Sequence, residues 1–183
     1  MVMFRAVLAL AFALALTPAH ADQADKRLDE LFAALAKANK AELAQPIELE
    51  IWKIWLETDS PTTELLYARS AGMIEAGDLD LAKQLLDTVV LLDPGFAEGW
   101  NLRATLNALR EDYPAAIADT QRALELEPRQ FMALAGLGGL LEGLGDDKGA
   151  LAAYEAALKI NPSMEGAKQQ AKTLRRKVDG DRI

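Results

Sequence analysis

The strongest constraint on this chain is a spacing. Pro94, Pro128 and Pro162 stand 34 residues apart, inside the related phrases "LLDPGF", "LELEPRQF" and "LKINPSM". Twelve residues before each proline lies an alanine: Ala82, Ala116 and Ala150. Sixteen before lies an aspartate: Asp78, Asp112 and Asp146. Twenty-four before lies a small residue (Ser70, Ala104, Gly138), and twenty-eight before a large apolar one (Leu66, Trp100, Leu134). A chain that repeats at such a period is built from copies of one small unit. No unit can bury its apolar face alone, so the copies must stack.

Each copy reads as two helices joined at the aspartate. Gly77 and Gly145 can end a helix in the left-handed conformation, and Asp78 and Asp146 can cap the next one. In the middle copy Asp112 is the cap, and Pro114 falls in the first turn, where its missing N–H costs little. Apolar residues recur at helical spacing along the second helices: Leu81, Leu85, Val89 and Leu92; Ile117, Ala123 and Leu124; Leu151, Tyr154 and Leu158. The closing prolines stop each pair. The alanines let neighbouring helices approach closely.

This 34-residue pattern resembles the tetratricopeptide repeat (TPR). The match is strong over 97–130 and 131–164. It is weaker over 63–96, where Val89 replaces the alanine found at Ala123 and Ala157. The resemblance implies an all-α solenoid of antiparallel helix pairs. It also implies that first helices line a concave groove for an extended peptide or a partner helix. By register that groove holds Tyr67 and Ile74, then Asn101, Leu102, Thr105 and Leu109, then Met132 and Glu142, with Glu64, Glu75 and Glu98 also lining it. Asn101 stands where family members often hold a ligand backbone. Tyr67, Ala71 and Ala135 occupy positions where a clamp for acidic tails needs Lys or Asn, so an acidic C-terminus is not the expected ligand.

The glycine-rich stretch "FMALAGLGGLLEGLGDD" invites a different reading, a phosphate-cradling loop. It fails that test: Leu141 stands where G-x-G-x-x-G needs its third small residue, and no strand pattern precedes it. By register it is the first helix of the third unit. Four interior glycines, each costing about 1 kcal/mol against Ala, make that helix depend on its neighbours.

The flanks complete the plan. Residues 22–62 read as a degenerate helix pair, with Leu31, Phe32, Leu35, Ile51, Trp52, Ile54 and Trp55 closing the end of the stack. Residues 165–178 read as a capping helix with Met164, Ala167, Ala171, Leu174 and Val178 on one stripe, and 179–183 as a disordered tail. Trp52, Trp55 and Trp100 are all expected in the core, Trp100 between the first and second units. Residues 1–21 carry one positive charge, an apolar run and Ala19-His20-Ala21, the form of a cleaved signal peptide. The expected mature chain starts at Asp22 in the periplasm. The whole layout, through "EIWKIW" and "AEGWNLRA", is similar to small exported TPR proteins of alphaproteobacteria.

Removal of the leader takes away the single histidine, and there is no cysteine. Neither a Ser-His nor a Cys-His nucleophile, nor a Cys/His metal site, can then be assembled. Asp146-Asp147 and Glu111-Asp112 stand at helix starts and read as caps. The chain without its leader has 19 basic and 28 acidic side chains, a net of −9, which disfavours nucleic acid. The expectation is a protein-binding scaffold, an adaptor or assembly factor, with no cofactor, metal or small-molecule substrate. A client-holding chaperone is the alternative; an enzyme is a remote one.

Overall fold

The computed structural model describes residues 26–180, and all elements among them are helices. They are α1 (Lys26–Leu35), α2 (Ala41–Trp55), α3 (Pro61–Glu75), α4 (Leu79–Leu92), α5 (Ala97–Leu109), α6 (Tyr113–Leu126), α7 (Phe131–Gly143), α8 (Asp147–Ile160) and α9 (Glu165–Gly180). The leader lies outside the described residues.

Helices α3 to α8 form three consecutive antiparallel pairs. Each pair turns as its residues dictate. Asp78, Asp112 and Asp146 accept from the backbone N–H groups of Leu81, Ala115 and Gly149. Gly77 and Gly145 hold φ of 79° and 81°. At the equivalent place in the middle pair Glu111 holds φ of 61°, a conformation that a side chain disfavours.

Packing follows the small residues. Ala82, Ala116 and Ala150 are each 0 % exposed. Gly138 is buried in α7, and a Cβ there would meet the Tyr154 ring at 2.9 Å. The glycine stretch is therefore a helix, and its central glycine is required by a ring from α8. Helix α9 lays Ala167, Ala171, Leu174 and Val178 onto the last pair, where Tyr154 and Ala150 join them. It runs to Gly180, so Asp179 and Gly180, expected in the tail, are helical.

Two expectations need correction. Trp100 does not fill the interface between the first two units. It is half-buried, its indole N–H donates to the Pro94 carbonyl at 3.1 Å, and the Arg103 guanidinium lies 4.8 Å from its ring centroid. Gly99 takes the close contact instead, against Val89 and Phe96.

The second correction concerns α1 and α2. Their apolar residues do not close the end of the stack beside α3. Leu28, Phe32, Leu35, Ile51, Ile54 and Trp55 cluster with Phe131, Ile160 and Met164, which belong to the second and third inter-repeat joints. The pair is a strap across the loops that join the repeats. Thr58 donates to Asp93 (3.3 Å), Trp55 to Glu127 (3.3 Å), and Asn161 donates to Glu48 (2.6 Å). Asp93, Glu127 and Asn161 are one repeat position, the residue before each closing proline. The physical reason is visible in α2. Where the repeats place their buried alanine, α2 has Glu48 (34 residues before Ala82) or Leu49 (twelve before Pro61). Neither fits so close an approach between helices.

Candidate partner-binding groove

The first helices of the pairs, α3, α5 and α7, present a shared concave surface, and α2 crosses it at one rim. Between them lies a pocket of about 410 Å³. Its floor is small: Ala104, Ala108, Ala133, Ala135 and Gly136. Its walls are Trp52, Tyr67, Leu102, Met132 and Leu140, with Asn101, Thr105 and Thr120 as its polar residues. No charged residue lines it.

Of the eight groove positions expected from register, Tyr67, Asn101, Leu102, Thr105 and Met132 meet at this pocket. The other three do not. Ile74 packs toward Ala82, Leu86 and Leu106. Leu109 is 55 % exposed, beyond the pocket at the far end of α5. Glu142 is part-buried, its carboxylate close enough to the Tyr154 phenol to help raise that group's pKa after burial itself. Register alone missed Trp52. It belongs to no repeat, and only the strap brings it to the groove.

Glu98 was expected on the concave surface and is instead 1 % exposed. It accepts from Gln130 Nε2 at 2.7 Å and from Asn101 Nδ2 at 3.4 Å. Burial without a cation pushes its pKa up to about 7, the two amide donors opposing that rise and Glu127 adding to it. Desolvation, with Glu98 nearby as a lesser cause, raises the Tyr67 phenol well above its usual value. The Tyr67 ring also meets Phe96 edge-on at 5.3 Å. Asn101 thus lines the pocket while its amide N–H is directed to Glu98, and Tyr67 is part of the fold as well as of the wall. Glu127 is also buried, but Arg129 and the Trp55 indole partner it.

Among the described residues no group of acidic, His or Cys side chains is arranged to hold a metal, and no helix is long and apolar enough to cross a membrane.

Comparison with known proteins agrees with this architecture. Residues 74–125 and 110–165 match the family described as Tetratricopeptide repeat. A TPR repeat-containing protein of Rhizobium etli is 34 % identical over 97 % of this chain and 94 % of its own length. The chain belongs to the tetratricopeptide repeat family. Among human proteins, the PEX5-related protein is 31 % identical over 59 % of this chain and only 18 % of its own length. Of solved structures, MamA superposes with a TM-score of 0.61 at 23 % identity, covering 87 % of this chain and 85 % of its own. The first TPR of Spaghetti, bound to the HSP90 peptide SRMEEVD, gives 0.63 at 19 % identity over 67 % of this chain and 97 % of its own. These two similarities concern the fold. This TPR family is one of non-catalytic interaction scaffolds.

Proposed function

We propose that this TPR protein is an exported scaffold that holds a protein or peptide partner in its concave groove, acting as an adaptor or assembly factor in the bacterial envelope. The observation that carries the binding reading is the pocket itself. Its apolar walls, small floor and few, uncharged polar groups suit a side chain and a backbone rather than a reacting small molecule. TPR domains in solved structures hold peptides, as the HSP90 peptide on Spaghetti illustrates. Export rests on the leader's charge, apolar run and A-x-A site.

Crosslinking capture from the periplasm, with the protein as bait, identifies the partner. Calorimetry with that partner then tests the groove. Met132, 46 % exposed, is the cleanest probe because it carries little of the fold. Met132→Ala with Thr105→Ala should weaken binding about tenfold, as expected of central interface residues, and leave melting nearly unchanged. Wild-type affinity in that variant would place the working surface elsewhere. Mass spectrometry of natively expressed protein should find its N-terminus at Asp22; an intact Met1 in the soluble envelope fraction would refute export by cleavage.

A further inference from the structure

Charge around the groove narrows the partner. The pocket lining is uncharged. The concave register positions around it carry carboxylates and no cation. Glu64 stands one turn before Tyr67 and Ala68, and Glu75 follows Ile74. The first helices hold just two arginines besides. Arg103 is turned away, its guanidinium bonded to Asp119 (2.7 Å) and Asp87 (3.1 Å). Arg69 shares Arg103's repeat position. On the strap, Lys53 pairs with Glu50 (2.6 Å) and lies with Arg27 and Glu57 around a separate depression lacking Trp52.

A free C-terminal carboxylate entering this groove would find neither Lys nor Arg to balance it. It would lose its water against apolar walls with acids at both ends. A bulky apolar side chain, by contrast, fills the space between Trp52, Leu102 and Met132 over the alanine and glycine floor. Cations beside it would then face Glu64 at one end and Glu75 at the other.

Taking the groove as the working surface, we propose that its occupant is an internal segment of a partner protein in which a bulky apolar residue is flanked by Lys or Arg. End-blocked synthetic heptapeptides test this with the full chain. The probes are Lys-Lys-Leu-Trp-Leu-Lys-Lys, the same core flanked by Glu, the Lys flanks around Gly-Ser-Gly, and the free acidic peptide SRMEEVD. Fluorescence anisotropy should rank the first at least about tenfold tighter than each of the others, since like charges oppose the acidic peptides and the Gly-Ser-Gly core leaves the pocket empty. Changing Glu64 and Glu75 together to Gln should cut the Lys-over-Glu preference to less than about threefold, while Met132→Ala should weaken the Leu-Trp-Leu core.

Equal binding of the Gly-Ser-Gly peptide would reduce the effect to bulk charge and overturn the proposal. So would tighter binding of SRMEEVD, or no binding by the Lys-flanked peptide. If the peptides fail to discriminate while Met132→Ala still weakens the captured partner, the charge rule falls and the groove stands. If neither Met132→Ala nor the Gln variant changes any binding, both fall.

Discussion

Helix α2 and helix α6 differ in what one position permits. Helix α6 brings Ala116, fully buried, to its neighbours, and packs inside the stack between α5 and α7. Helix α2 has the same length class and a comparable apolar set, yet Glu48 or Leu49 stands where the alanine would be. It lies across the repeat-joining loops instead, and there Glu48 is useful, accepting from Asn161 and Ser163. Apolar content decides that a helix will be buried. A single small residue decides which surface can take it. The diverted helix is also what brings Trp52 to the groove, so the departure from the repeat shapes the site.

The largest test copies the α2 chemistry into the stack. Ala116→Glu places a large, ionisable side chain where there is no room and no cation. It should cost about 3–5 kcal/mol through overpacking and uncompensated burial. Urea unfolding measures it; a midpoint near wild type would mean that the alanine position does not govern stacking.

Next comes the strap. Trp55 is 8 % exposed and packs on Phe131 (5.6 Å between centroids) and Phe32 (5.9 Å). Trp55→Ala should cost about 3 kcal/mol, at the lower end for a buried large-to-small change because the side chain lies at an edge. Hydrogen exchange should show the loss in α1 and α2 first, with α5 and α6 keeping their protection. Uniform loss through all helices would make strap and stack one cooperative unit.

The two buried acids at the strapped joints provide a pH test. Glu127 has Arg129 and the Trp55 indole, whereas Glu98 has only amide donors. With its pKa raised from 4.5 to about 7, Glu98 binds its proton more tightly in the folded protein. The stability tied to that proton is fully present below about pH 4.5 and is lost as pH rises through about 7. The loss between those limits is about 3 kcal/mol, at 1.36 kcal/mol per unit. Glu98→Gln retains a side chain that Gln130 and Asn101 can bond, so it should flatten this slope and be the more stable protein at pH 8. Parallel wild-type and variant stability curves from pH 5 to 8 would show that Glu98 does not carry it.

How far these features were legible varies with their physics. The repeat boundaries, caps and buried alanines could be read because each imposes a local residue type at a fixed interval. Five groove residues followed from register for the same reason. Trp100 could not be placed: large apolar residues are allowed both between helices and against a loop, and only the Pro94 carbonyl and Arg103 decide it. The strap was hidden because its contacts join Glu48 to Asn161 and Trp55 to Glu127, pairs that no period links. A signal was present in the oversized residue at the alanine position. Glu98 shared a register position with the exposed Glu64 and Met132, and its burial depends on Gln130, the residue that caps the start of α7.

The smallest effect separates the period's packing positions from its turn positions. Gly77, Glu111 and Gly145 are one repeat position, and all three have positive φ. A left-handed residue with a Cβ costs about 1–2 kcal/mol, and glycine avoids that cost. Glycine also gives the unfolded chain more freedom, which returns about 0.4–1 kcal/mol of the gain. Glu111 is exposed, and the backbone bond from its N–H to the Ala108 carbonyl does not need its side chain. Glu111→Gly should therefore stabilise the protein by about 0.5 kcal/mol, a rise in Tm of about 1–2 °C for a domain of this size. Gly145→Ala, the reverse change at the equivalent turn, should lower Tm by a similar or slightly larger amount. The turn position thus tolerates a misfit worth about 1 kcal/mol, whereas the alanine position does not. A Glu111→Gly variant that melts below wild type, while Gly145→Ala is neutral, would show that the left-handed turn is not the source of strain, and that the repeat is as exacting at its turns as in its packing.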